Sequence, residues 1–103
     1  MGKFVAAAKK SELTLGCPKR VSAGGRDIVL CYVEDKIYAL ADECPHAGAP
    51  LSDGDLDGTK LTCPWHGAQF DVTNGQLLAP PAMDGIRSFA VKIEGDEILV
   101  EID

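Results

Sequence analysis

No stretch of these 103 residues approaches the roughly 20 consecutive apolar residues of a membrane-spanning helix. Met1–Lys10 is equally poor as an export signal, because its apolar part, Phe4–Ala8, is too short. Ala6 also stands where a myristoylation pattern wants Ser or Thr. The expected compartment is the cytoplasm, with no membrane contact. Positive charge is in deficit: 10 Lys and Arg face 16 Asp and Glu, a net charge of −6. Without a basic stripe, nucleic acid is excluded as a partner. Helical periodicity is missing as well, since no segment sustains it for the dozen or so residues of an ordinary helix. No nucleophile paired with a base is legible, so no enzyme activity is expected. Histidine is the scarcest functional residue, with 2 in the whole chain, and both fall in one pattern.

That pattern is Cys44-Pro45-His46 followed by Cys63-Pro64-Trp65-His66. Two thiolates and two imidazoles make a complete ligand set for one metal centre, either zinc or an iron–sulfur cluster. Zinc sites place about two to four residues between paired ligands on a loop, so that both converge on one small ion. Cys44 and His46 have a single residue between them, which makes such convergence awkward. The strain disappears if the pair serves two metals: Cys44 and Cys63 on one iron, His46 and His66 on the other. A zinc-stabilised interaction module remains the rival from another class, colourless and without redox chemistry.

Cys44-Pro45-His46-Ala47-Gly48-Ala49-Pro50-Leu51, taken with Cys63-Pro64-Trp65-His66-Gly67, resembles the two binding loops of Rieske [2Fe–2S] proteins. The resemblance implies an all-β Rieske fold of stacked antiparallel sheets with an inserted cluster-binding subdomain. It implies one [2Fe–2S] cluster bound by Cys44, His46, Cys63 and His66. Respiratory members carry a loop-clamping disulfide at the positions of Ala49 and Trp65, so no such clamp forms here. They also place a Ser and a Tyr hydroxyl on sulfur where this chain has Ala68 and Phe70. Fewer hydrogen bonds to sulfur stabilise the reduced cluster less. The expected potential therefore lies near the lower end of the roughly −150 to +300 mV range of such centres. Backbone N–H groups around Gly48, Ala49, Gly67 and Ala68 are the remaining donors to sulfur. Gly48 and Gly67 serve either close approach to the cluster or a turn.

Along the chain, Gly and Pro punctuate short apolar runs, a pattern of strands joined by turns. Strands are predicted over residues 3–8, 20–22, 27–33, 36–40, 60–62, 68–72, 86–93 and 98–102. Residues 23–26 make a hairpin turn, Glu34-Asp35 a tight turn, and Ser11–Leu13 at most a short turn. The whole chain, 1–103, reads as one domain whose segment of about 42–83 is the cluster-binding insertion. Ala79-Pro80-Pro81-Ala82 is either a third loop over the cluster or a linker to the last hairpin. Trp65 is either a docking element beside the histidines or an inward shield. Leu51, Leu61 and Phe70 are read as packing residues. Of the other cysteines, Cys31 is expected in the core and Cys17 as a partly exposed free thiol.

Size and the absent clamp resemble the ferredoxins of bacterial multicomponent oxygenases. The resemblance implies a one-electron carrier between an NAD(P)H-dependent flavoprotein reductase and a terminal, aromatic-ring oxygenase. Docking is expected near His46, His66 and Trp65, on a monomer. The surplus of negative charge suits steering toward a basic docking face, though solubility explains it equally. A second role on the same fold is the small Rieske subunit of an NAD(P)H nitrite reductase.

Overall fold

The computed structural model describes residues 3–14, 16–34, 36–42, 51–64, 67–79 and 85–102. Eleven strands are seen there: β1 (Lys3–Lys9), β2 (Lys19–Ala23), β3 (Arg26–Val33), β4 (Lys36–Ala41), β5 (Asp55–Asp57), β6 (Lys60–Thr62), β7 (Gln69–Asp71), β8 (Leu77–Ala79), β9 (Ser88–Phe89), β10 (Val91–Glu94) and β11 (Glu97–Ile102). Lys10–Glu12 and Leu51–Asp53 are single turns of 3-10 helix. The strands form three antiparallel sheets, ordered β1-β11-β10, β2-β3-β4-β9 and β5-β6-β7-β8.

The β2-β3-β4-β9 sheet is the middle layer, and the side-chain alternation of β3 shows why. Ile28 and Leu30 point to one face, Val29 and Cys31 to the other, and all four are fully buried. Ile28 and Leu30 join Val21, Ala39 and Phe89 in a core closed by Ile98, Val100 and Ile102 of the terminal sheet. Val29, Cys31 and Leu40 join a second core with Leu51, Leu61, Cys63, Ala68, Phe70 and Val72. A continuous apolar run on β3 is therefore a strand covered on both sides, and each of its faces founds a separate core.

The hairpin at Ala23–Arg26 forms as expected, with Gly24 and Gly25 both at positive φ. In the turn after β3, Glu34 itself takes φ 57. Residues 86–93 do not form the single strand expected of them. Ser88 and Phe89 pair with β4, whereas Val91–Glu94 pair with β11. The chain changes sheet at Ala90, so Phe89 seals the middle layer while β10 completes the terminal one. The short strands β5 and β8, at the edges of their sheet, were not expected from their polar or brief sequences. Two side-chain-closed turns prepare β8: Asp71 Oδ1 accepts from Thr73 N–H and Oγ1 at 2.9 and 2.6 Å, and Asn74 Oδ1 accepts from Gln76 N–H at 2.8 Å.

Candidate metal centre

The β6–β7 hairpin carries the second half of the ligand pattern. Leu61 and Phe70 lie opposite each other in the ladder, and both are fully buried. One step beyond the last pair, Cys63 N–H donates to the Ala68 carbonyl at 2.7 Å, closing the base of the loop between them. Gly67 has φ 78, the left-handed conformation in which a Cβ is strained, so the turn itself requires glycine. Cys63 is 2% exposed and sits in the core with Leu51, Ala68 and Phe70. It is a free thiol, as are the exposed Cys17 and the buried Cys31.

Cys44, His46, Trp65 and His66 lie outside the described residues, as do Gly48, Ala49, Pro80, Pro81 and Ala82. Among the described residues, no three His, Cys, Asp or Glu side chains come together as a metal site. The other three ligands expected from the sequence, Cys44, His46 and His66, lie in those segments. The surroundings fit a [2Fe–2S] group: Cys63 is unpaired by any disulfide and its neighbours are apolar. Neither Ala68 nor Phe70 offers a hydroxyl, as the comparison with respiratory proteins implied. Cys31 shares this core but differs in chemistry. Burial, followed by the nearby Asp42 charge, pushes its thiol up from 9.0 to about 12. It is neutral near pH 7 and suited to packing, not ligation.

Sequence reasoning missed one residue of this region. Asp42 is the buried polar residue of the described core, at the end of β4 and two positions before Cys44. Nothing in its immediate sequence marks it as buried, because its partners, Ser52 and Arg20, are distant along the chain.

The model of the Rieske [2Fe-2S] domain matches residues 3–90. The ferredoxin component of the naphthalene 1,2-dioxygenase system of Pseudomonas aeruginosa is 35% identical over 100 residues, covering 97% of this chain and 96% of that protein. Among solved structures, the ferredoxin of carbazole 1,9a-dioxygenase from Nocardioides aromaticivorans IC177 superposes with a TM-score of 0.91 at 31% identity, over 95% of this chain and 96% of that one. A complex of reduced oxygenase and oxidized ferredoxin in carbazole 1,9a-dioxygenase contains a chain with a TM-score of 0.87 and 32% identity, over 94% of this chain and 91% of that one. The chain belongs to the Rieske [2Fe-2S] domain family. Within it, the chain is of the ferredoxin type, an electron-transfer component and not a catalytic oxygenase.

Proposed function

We propose that this protein is a soluble cytoplasmic carrier of single electrons, acting as one domain over 1–103 with its cluster-binding part at about 42–83. Cys44 and Cys63 would hold one iron and His46 and His66 the other. The observation that carries this reading is the buried Cys63, in no disulfide, at the closed base of the β6–β7 loop, in a chain matched over 97% of its length by a ferredoxin component of a dioxygenase system.

A [2Fe–2S] group supplies a site that accepts and releases one electron. The chain would hold it by side chains that leave no open position for substrate, and the buried Leu51, Leu61 and Phe70 would keep water from Cys63. Imidazole ligands are neutral where thiolates are anionic, which makes adding an electron easier than in a cluster with four cysteines. The donor is an NAD(P)H-dependent flavoprotein reductase and the acceptor a terminal aromatic-ring oxygenase. The solved complex of such an oxygenase with its ferredoxin supports the acceptor. Docking is assigned to the end carrying His46, His66 and Trp65.

Transient association of a monomer is supported by the scatter of exposed apolar side chains. Leu78 lies on β8, while Phe4 and Ile93 belong to the terminal sheet. Phe4 pairs with Glu101 and Ile93 with Ile98, register positions that face opposite sides of that sheet. No continuous apolar patch results among the described residues, whereas a permanent subunit of a nitrite reductase would need one.

The purified protein should contain two irons and two sulfides per chain and show a Rieske EPR signal when reduced. Exchange of His46 or His66 for Ala or Cys should abolish that signal. Its retention in either variant would show the ligand assignment to be wrong.

A further inference from the structure

Ser52 lies ten positions after Asp42, yet their side chains meet. Ser52 N–H donates to Asp42 Oδ1 at 2.7 Å, and Ser52 Oγ donates to Asp42 Oδ2 at 2.8 Å. Arg20 Nε on β2 approaches the same Oδ2 at 3.5 Å, while Arg20 Nη2 binds Asp27 Oδ2 on β3 at 2.9 Å. The backbone at this point is held as well: Asp42 N–H donates to the Asp27 carbonyl at 3.1 Å and Ala41 N–H to the Arg87 carbonyl at 2.9 Å. The Asp42 side chain is 0% exposed, against 55% for Arg20. Burying a carboxylate is costly unless it is hydrogen-bonded and paired, and here it is both.

The place of this clamp gives it a function. The chain leaves the middle sheet at Asp42, runs through Cys44 and His46, and returns at Leu51, whose side chain lies in the core with Cys63. Tying Ser52 to Asp42 makes the start and end of that excursion one fixed point on the sheet. Leu51 is thereby anchored beside Cys63, so the two ligand-bearing segments share a base. The clamp also has a charge. Two residues span at most about 7 Å of chain, so the Asp42 backbone lies within that distance of the Cys44 backbone. The Asp42 carboxylate is itself shielded from water, so its negative charge, only partly offset by the exposed Arg20, opposes the addition of an electron nearby.

We propose that Asp42 is a positioning residue for the iron centre: clamped by Ser52 and Arg20, it anchors the Cys44–His46 segment to the middle sheet and lowers the reduction potential through its buried charge. The inference rests on the ligand assignment proposed above. The clamp joins the two ends of one ligand-bearing segment, a different fastening from the disulfide between two loops that Ala49 and Trp65 rule out here.

The experiment uses the iron-loaded protein and three variants: Asp42→Asn, Ser52→Ala and Asp27→Asn. Each is assayed for midpoint potential, for the rate at which a chelator bleaches the visible spectrum, and for urea stability. Asn keeps the shape and one acceptor of Asp42, and the Ser52 hydroxyl can turn to accept from its amide. Asp42→Asn should raise the potential by about 59 mV, a tenfold change in the reduction equilibrium of a one-electron couple. Ser52→Ala keeps the charge, so it should accelerate iron loss severalfold with a much smaller change in potential. Asp27→Asn, which alters only the exposed arm of Arg20, should match the wild type in both. An unchanged potential in loaded Asp42→Asn overturns the electrostatic role. Unchanged iron loss in Ser52→Ala overturns the anchoring role, and this variant decides the matter if Asp42→Asn fails to load. A wild type without the Rieske EPR signal would instead defeat the ligand assignment, so the two failures are distinguishable.

Discussion

Cys31 and Cys63 are buried in the same apolar core, but only one of them is expected to meet iron. Cys31 lies on β3 between buried Leu30 and half-buried Tyr32, and burial pushes its thiol up to about 12. Because that value is raised in the folded state, its stabilising effect is full below pH 9 and is lost as pH climbs toward 12. Urea unfolding should therefore give a midpoint that falls between those limits, and Cys31→Ala should flatten this part of the profile. Ala68, fully buried and bonded through its carbonyl to Cys63 N–H, tests the sulfur environment. Ala68→Ser places a hydroxyl where respiratory proteins are implied to have one. A net hydrogen bond of about 1 kcal/mol to the reduced centre corresponds to about 40 mV for one electron. Voltammetry should accordingly show a wild-type potential below zero and a higher one in the variant.

At the scale of elements, three segments of the chain are closed at their bases by specific contacts. Asp42 and Ser52 close the first, and the Cys63–Ala68 backbone bond closes the second. At the third, Ile86 N–H donates to the Gly75 carbonyl at 2.8 Å, next to the segment containing Pro80 and Pro81. Gly75 is at φ 78, and a Cβ there would run into the Ile86 carbonyl oxygen. Gly75→Ala is therefore both strained and obstructed, and should cost at least about 1–3 kcal/mol of unfolding free energy in a urea titration. An equal exchange at Gly58, also at positive φ but with open space around it, should cost less. The split of residues 86–93 into β9 and β10 belongs to this scale too. Ile86, Phe89 and Val91 each pack in a core, so apolar spacing alone could not show that they serve different sheets.

Considered as a whole, the described residues form a three-layer stack, with the β5-β6-β7-β8 sheet as one outer layer and the sheet of β1, β10 and β11 as the other. Its net charge of −6 should matter for encounter more than for fold. If a basic partner face is used, the second-order rate of reduction by the reductase should fall as ionic strength rises from about 0.01 to 0.15 M, over which the Debye length contracts from about 30 to 8 Å. Stopped-flow kinetics across that range would check this, and a flat profile would assign the charge to solubility.

From the sequence alone, the family, its [2Fe–2S] cofactor and the all-β class were legible, because metal ligation demands particular atoms at short spacings and turns demand Gly and Pro. The core assignments of Leu51, Leu61, Phe70 and Cys31 were legible for a related reason: apolar side chains in short runs leave little choice but burial. Tertiary structure alone decided that Asp42 is buried. A carboxylate carries no local mark of its environment, and the groups that stabilise this one come from β2 and from a turn ten residues away. Tertiary structure likewise decided where the last strands divide, since a change of sheet depends on which neighbour offers hydrogen bonds, and that partner is chosen by the assembled stack.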